Sequence, residues 1–113
     1  MSNDFSDETY WEWKTRDWMK WLEEKLVFPF IAKRMDDDGD AYFTDIAKHE
    51  PFRLGHTMDV LGLTSEDDLY GIIVEVREKH RVGTVPLCDL NVMPKGDRNF
   101  YPVKEYAVWF ANR

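Results

Sequence analysis

The stretch GIIVEVREKHRVGTVPL, residues 71–87, constrains the fold most. Ile72, Val74 and Val76 alternate with Ile73, Glu75 and Arg77, the period of a strand with one face turned inward. EKHR reads as a polar reverse turn, and VGTVPL returns as an antiparallel partner. Other segments carry the same signal. In FPFIA, Phe28, Phe30 and Ala32 face one way and Ile31 and Lys33 the other, with Pro29 early, where an edge strand tolerates it. In RLGHTMDVLGL, Met58 and Val60 alternate with Thr57, Asp59 and Leu61, and Gly62 marks a bulge or bend. TSEDDLY reads as a polar connection. CDLNV reads as a short turn or edge strand, and MPKGDRN as a loop. Residues 41–53 carry mixed polarity and Pro51, which suits a loop with one short turn.

Two helical patterns flank these strands. From Ser6, an N-cap candidate followed by Asp7 and Glu8, residues 7–26 place Trp11, Trp18, Leu22 and Lys25 or Leu26 on one stripe, widened by Trp21. Taken as one helix, they form a rod of about 30 Å. Trp13 lies off the stripe and, if exposed, could contact a partner. After Pro102, residues 102–111 place Val103, Tyr106, Ala107 and Phe110 at i, i+3, i+4 and i+7. The expectation is one α+β domain over 1–113, with a small curled antiparallel sheet or barrel in 28–92 between an N-terminal and a C-terminal helix.

A core is within reach of this chain. Five Trp, five Tyr and seven Phe among 113 residues supply large apolar areas. The net charge of −7 repels nucleic-acid phosphates and anionic membrane surfaces, and it favours cations or basic proteins as partners. The lone cysteine, Cys88, makes neither an internal disulfide nor a thiolate metal site, which fits a reducing compartment. It sits between apolar positions in PLCDL and reads as a small hydrophobe rather than a reactive thiol. No apolar run approaches a membrane span of roughly 18 residues, and the acidic N-terminus lacks signal-peptide order. A cytoplasmic protein is expected.

Catalytic patterns are missing. The sequence has no nucleophile elbow, phosphate loop or dinucleotide fingerprint. His49, His56 and His80 are scattered and form no metal-binding spacing. The reading is therefore not an enzyme.

Two acidic clusters remain. MDDDGDAYFTD packs Asp36, Asp37, Asp38, Asp40 and Asp45 around Gly39, and TSEDDLY holds Glu66, Asp67 and Asp68. Such clusters are either solvated turns or cation sites. Ca²⁺ takes six to eight oxygen ligands, and a glycine lets several short carboxylates turn toward one point. The first cluster is not an EF-hand loop. With Gly39 at the sixth position, Arg34 takes the first and Asp45 the twelfth, where a cation and a short acid do not serve. Two acidic loops at one end of a small sheet would also raise the local cation concentration. An acidic module that binds a basic protein partner is the alternative.

FPFIA, VLGL, DDLYGIIVEV, VPLCDL and EYAVWFANR, in this order and spacing, resemble the cyanobacterial-type (CcbP-like) calcium-binding protein family, whose members are not EF-hand proteins. The resemblance covers residues 28–113, and PLCDL and WFANR are its most specific parts. The Trp-rich stretch 7–26 lies outside it, and His56 departs from it. The resemblance implies an α+β domain with a small SH3-like antiparallel sheet and Ca²⁺ held by surface carboxylates. By position it implies Asp36, Asp37, Asp38 and Asp40 in the loop after the first strand, and Glu66, Asp67 and Asp68 in the loop before Tyr70.

Overall fold

The structure is a computed structural model that describes residues 7–35, 51–53 and 55–113. In chain order these form α1 (Asp7–Thr15), α2 (Trp18–Lys25), β1 (Phe30–Arg34), β2 (Thr57–Asp67), β3 (Gly71–Glu78), β4 (Arg81–Pro86), a 3-10 turn (Leu87–Asp89), β5 (Leu90–Met93) and α3 (Phe100–Asn112). The described strands make one antiparallel sheet in the order β4-β3-β2-β1-β5, as the α+β reading requires.

The order of the strands forces the sheet to curl. β4 and β5 lie at opposite edges, yet only the 3-10 turn joins them. Flat, at about 4.8 Å per strand, they would stand roughly 19 Å apart. Four residue steps reach about 14 Å when fully extended, and less when coiled. The bend is built into β2, whose register against β3 shifts between Val60 and Gly62 and again between Leu63 and Ser65. The expected irregularity at Gly62 is therefore present, and a second follows it.

The inward faces match the alternation read from the sequence. Phe30 and Ala32 of β1, Met58 and Val60 of β2, and Ile72, Val74 and Val76 of β3 are all buried. Trp18 and Leu22 of α2 and Val103 and Tyr106 of α3 complete the same core. Burying the Val, Leu, Ile, Phe and Met side chains among them contributes about 1.5–3 kcal/mol each.

Three expectations change. The N-terminal rod is two helices. Thr15 Oγ1 donates to the Trp11 carbonyl at 2.9 Å, and Asp17 then caps α2 by accepting from the Lys20 amide at 3.2 Å. At the break, the Arg16 guanidinium lies 4.6 Å from the Trp18 ring centroid and 4.3 Å from that of Trp21, and it also reaches Glu12 and Glu105. Next, β1 is not an edge strand. It pairs with β2 on one side and β5 on the other. Pro29 precedes the first ladder residue and removes no sheet hydrogen bond. Finally, TSEDDLY is not a simple connection: β2 runs on through Thr64–Asp67, and only residues 68–70 turn.

Trp13 is also corrected. It is buried, and its indole N–H donates to Glu105 Oε2 at 2.8 Å, while Trp11 on the supposed inner stripe is 59% exposed. At the other end of the helical layer, Asn99 clasps the chain entering β1. Its Oδ1 accepts from the Val27 amide at 2.7 Å, and its Nδ2 donates to the Val27 carbonyl at 3.2 Å.

Candidate metal-binding hairpin

Two of the predicted site residues close β2 and the third opens the turn into β3. Glu66 pairs with Ile72 and Asp67 with Gly71, while Asp68 begins the turn. A strand sends successive side chains to opposite faces, so Glu66 and Asp67 diverge. All three are exposed. The other predicted ligands, Asp36, Asp37, Asp38 and Asp40, lie outside the described residues, as does Asp45.

The three hairpin carboxylates do different work. Asp67 Oδ1 accepts from the Tyr70 and Leu69 amides, each at 2.8 Å, and so builds the turn. These two hydrogen bonds, that from Tyr70 foremost, hold its carboxyl below the ordinary aspartate range. Glu66, Asp67 and Asp68 all border a shallow depression whose other wall is α3, through Tyr106, Trp109, Phe110 and Arg113. A cation already stands there. Arg113 Nη2 donates to the Leu69 carbonyl at 3.3 Å, and its guanidinium carbon lies 3.8 Å from the Phe110 ring centroid.

The hairpin is anchored from below. Gly71 takes φ +74°, a conformation few side chains adopt, and a Cβ there would run into the Tyr106 hydroxyl and the Phe110 ring. The Tyr106 hydroxyl in turn accepts from the Ile72 amide at 2.8 Å. Burial, foremost, pushes that phenol up to about 12. Sequence reading placed Tyr106 in the core but missed this hydrogen bond, since its partner lies 34 residues away.

The hairpin also approaches the end of β1. Cys88 Sγ lies 3.9 Å from the Tyr70 carbonyl oxygen and 3.8 Å from Asp89 Oδ1. The Asp89 carbonyl accepts from the Met35 amide at 2.9 Å, and Asp36 is the next residue. Cys88 is half-buried, and burial, with Asp89 adding to it, pushes its thiol up to about 11. At neutral pH it is protonated and a poor nucleophile or ligand, as its apolar setting suggested.

Among the described residues, no three His, Cys, Asp or Glu side chains are grouped to hold a metal ion. Glu66, Asp67 and Asp68 therefore do not form a complete cage alone. The histidines supply none either: His56 pairs with Glu78 at 3.0 Å, His80 is exposed in the β3–β4 turn, and His49 lies outside the described residues.

Residues 6–110 match the model of the calcium-binding CcbP family. The chain belongs to this family. It is a calcium-binding family, not an enzyme family. The match takes in the Trp-rich helices, which the sequence resemblance had left out. The fold is similar to the crystal structure of Anabaena CcbP, with TM-score 0.63 and 23% identity over 98% of this chain and 96% of that one. It is equally similar to a structure described as a calcium-binding protein in the calcium-binding form, with TM-score 0.63 and 22% identity over 99% and 97% of the two chains. No curated protein matches the chain. Among the described residues, no helix is long and apolar enough to cross a membrane.

Proposed function

We propose that this protein binds Ca²⁺ at a site shared by two acidic segments and serves as a cytoplasmic calcium buffer or sensor. Asp36, Asp38 and Asp40 are the main ligands, with Asp37 beside them. Glu66, Asp67 and Asp68 complete the site from the hairpin. Membership of the CcbP family carries this reading. The likeness to a protein in its calcium-binding form, on a common fold, supports it.

The chemistry agrees. Ca²⁺ needs six to eight oxygens at about 2.3–2.6 Å, more than the hairpin offers. Asp67 is partly committed to its own turn, which favours further ligands from a second segment. Met35, the residue before Asp36, is bonded to Asp89, and the neighbouring Cys88 touches the hairpin carbonyl. That short path favours a shared site over two separate ones. The curl of the sheet, closed by a 3-10 turn between its edges, is in keeping with an SH3-like barrel.

Isothermal titration calorimetry at physiological ionic strength tests the proposal. Ca²⁺ should bind the full chain with measurable heat, and the Asp38→Ala/Asp40→Ala variant should lose it. No heat at millimolar Ca²⁺, or an unaltered variant, removes the proposal.

A second reading rests on the exposed Leu69 (68%) and Tyr70 (56%) beside the acids. The same surface could grip a basic protein partner. Such binding would weaken with salt and ignore chelators, whereas the calcium site is abolished by chelation.

A further inference from the structure

The opposite charge gathers elsewhere. A groove runs between β5 and the start of α3, floored by Val92 and Phe100 and flanked by the exposed Met35, Met93 and Tyr101. Lys33, Lys95 and Lys104 line it, and none of them is in an ion pair among the described residues. On a chain of net charge −7, three such lysines around an apolar floor make a local cationic surface.

One wall of this groove is β5, an edge strand of the sheet among the described residues. The Met35 amide donates to the Asp89 carbonyl, and Lys33 pairs with Asn91 and Ile31 with Met93. Antiparallel ladders alternate, so Asn91 and Met93 turn their backbone groups toward β1, and Leu90 and Val92 turn theirs away. The Leu90 amide is used by the Leu87 carbonyl. The Val92 amide and the Leu90 and Val92 carbonyls face the groove with no partner among the described residues. Lysines at such an edge repel a second copy of the same edge, yet attract a strand of opposite charge.

We propose that the groove between β5 and α3 takes an extended acidic segment of a partner protein as an added strand. Its backbone would pair with Val92 and Leu90, its carboxylates would meet Lys33, Lys95 and Lys104, and an apolar side chain would rest against the exposed Tyr101 and Met93. Main-chain pairing would give affinity, and the lysines would select the sequence.

The test uses the full chain, labelled with ¹⁵N, and a panel of ten-residue peptides. Each alternates Glu or Asp with Val, Leu or Phe, and a matching panel carries Lys in place of the acids. Amide shifts should fall on residues 90–95 and 100–104, with slowed hydrogen exchange at Val92, for acidic peptides only. The Lys95→Glu/Lys104→Glu variant, altered at exposed positions, should bind about tenfold more weakly with its melting transition kept. Four results would overturn the proposal: no acidic peptide shifting these amides at about millimolar concentration, equal binding by the lysine panel, an unaffected double variant, or shifts produced by single-stranded DNA but not by the peptides.

Discussion

The two ends of β3 carry similar numbers of acids and use them differently. At the Glu78 end the carboxylates are spent on structure. Glu78 Oε1 accepts from the Phe52 amide at 2.7 Å while its other oxygen meets His56, and Asp59 lies 3.6 Å from Arg77. At the Gly71 end, Asp67 holds the turn, and Glu66 and Asp68 remain at the rim with one guanidinium, Arg113, nearby. An acid count alone does not distinguish the two ends. What separates them is whether backbone amides and paired cations already occupy the carboxylate oxygens. Among the described residues, Glu66 and Asp68 at the Gly71 end are left without a hydrogen bond or ion pair.

That contrast can be broken at several points. The largest effect is expected from Gly71→Ala, since a Cβ there meets Tyr106 and Phe110 and the positive φ strains any other residue. A loss of about 3 kcal/mol is expected in urea unfolding. Gly62→Ala, with nothing within 4 Å of the new Cβ, should cost far less. A Gly71→Ala protein as stable as the parent would show that the hairpin is not anchored as described. Tyr106→Phe comes next. It strips the acceptor from the buried Ile72 amide and should cost about 2 kcal/mol.

At the other end, Glu78→Ala frees the Phe52 amide and the His56 ring, and about 1 kcal/mol is expected. It should leave Ca²⁺ affinity unchanged, which sharpens the contrast. The smallest effect is the pH dependence of Asp67. Its carboxyl is lowered in the folded state, so its contribution is present above the ordinary aspartate value. That contribution is lost as pH falls through the lowered one. A carboxyl-detected NMR titration should place Asp67 below the usual range, and a normal midpoint would dissolve the Asx turn as an explanation. Tyr106 runs the opposite way. Its raised phenol favours the folded state below the ordinary tyrosine value, a contribution lost as pH climbs toward about 12.

Much of the fold was legible in short patterns. Ile72, Val74 and Val76 could be read as an inward face because every second residue is buried. Val103 and Tyr106 followed from a helical stripe for the same reason. The end of β2 was hidden because Ser65–Asp67 are exposed on both sides of the strand, so no alternation marks them. Their strand state comes from hydrogen bonds to β3, which a sequence pattern does not record. The break between α1 and α2 left one signal, Asp17 before Trp18, an N-cap masked by the continuous aromatic stripe. Of the candidate site, the acids of 66–68 were visible as a cluster. That Asp67 serves its own turn depends on local hydrogen bonds to the Leu69 and Tyr70 amides, which a cluster of acids does not reveal, and that Arg113 sits nearby depends on a contact 44 residues away.

The central claim is that the hairpin carboxylates share a calcium site with the segment that begins at Asp36. The most direct measurement is the Ca²⁺ affinity of Glu66→Gln/Asp68→Asn by calorimetry, since both changes keep size and remove charge. Fewer charged ligands weaken a calcium site, and a loss of about tenfold or more is predicted. An affinity equal to that of the parent protein would contradict the shared site and leave calcium binding, if any, to the first segment alone.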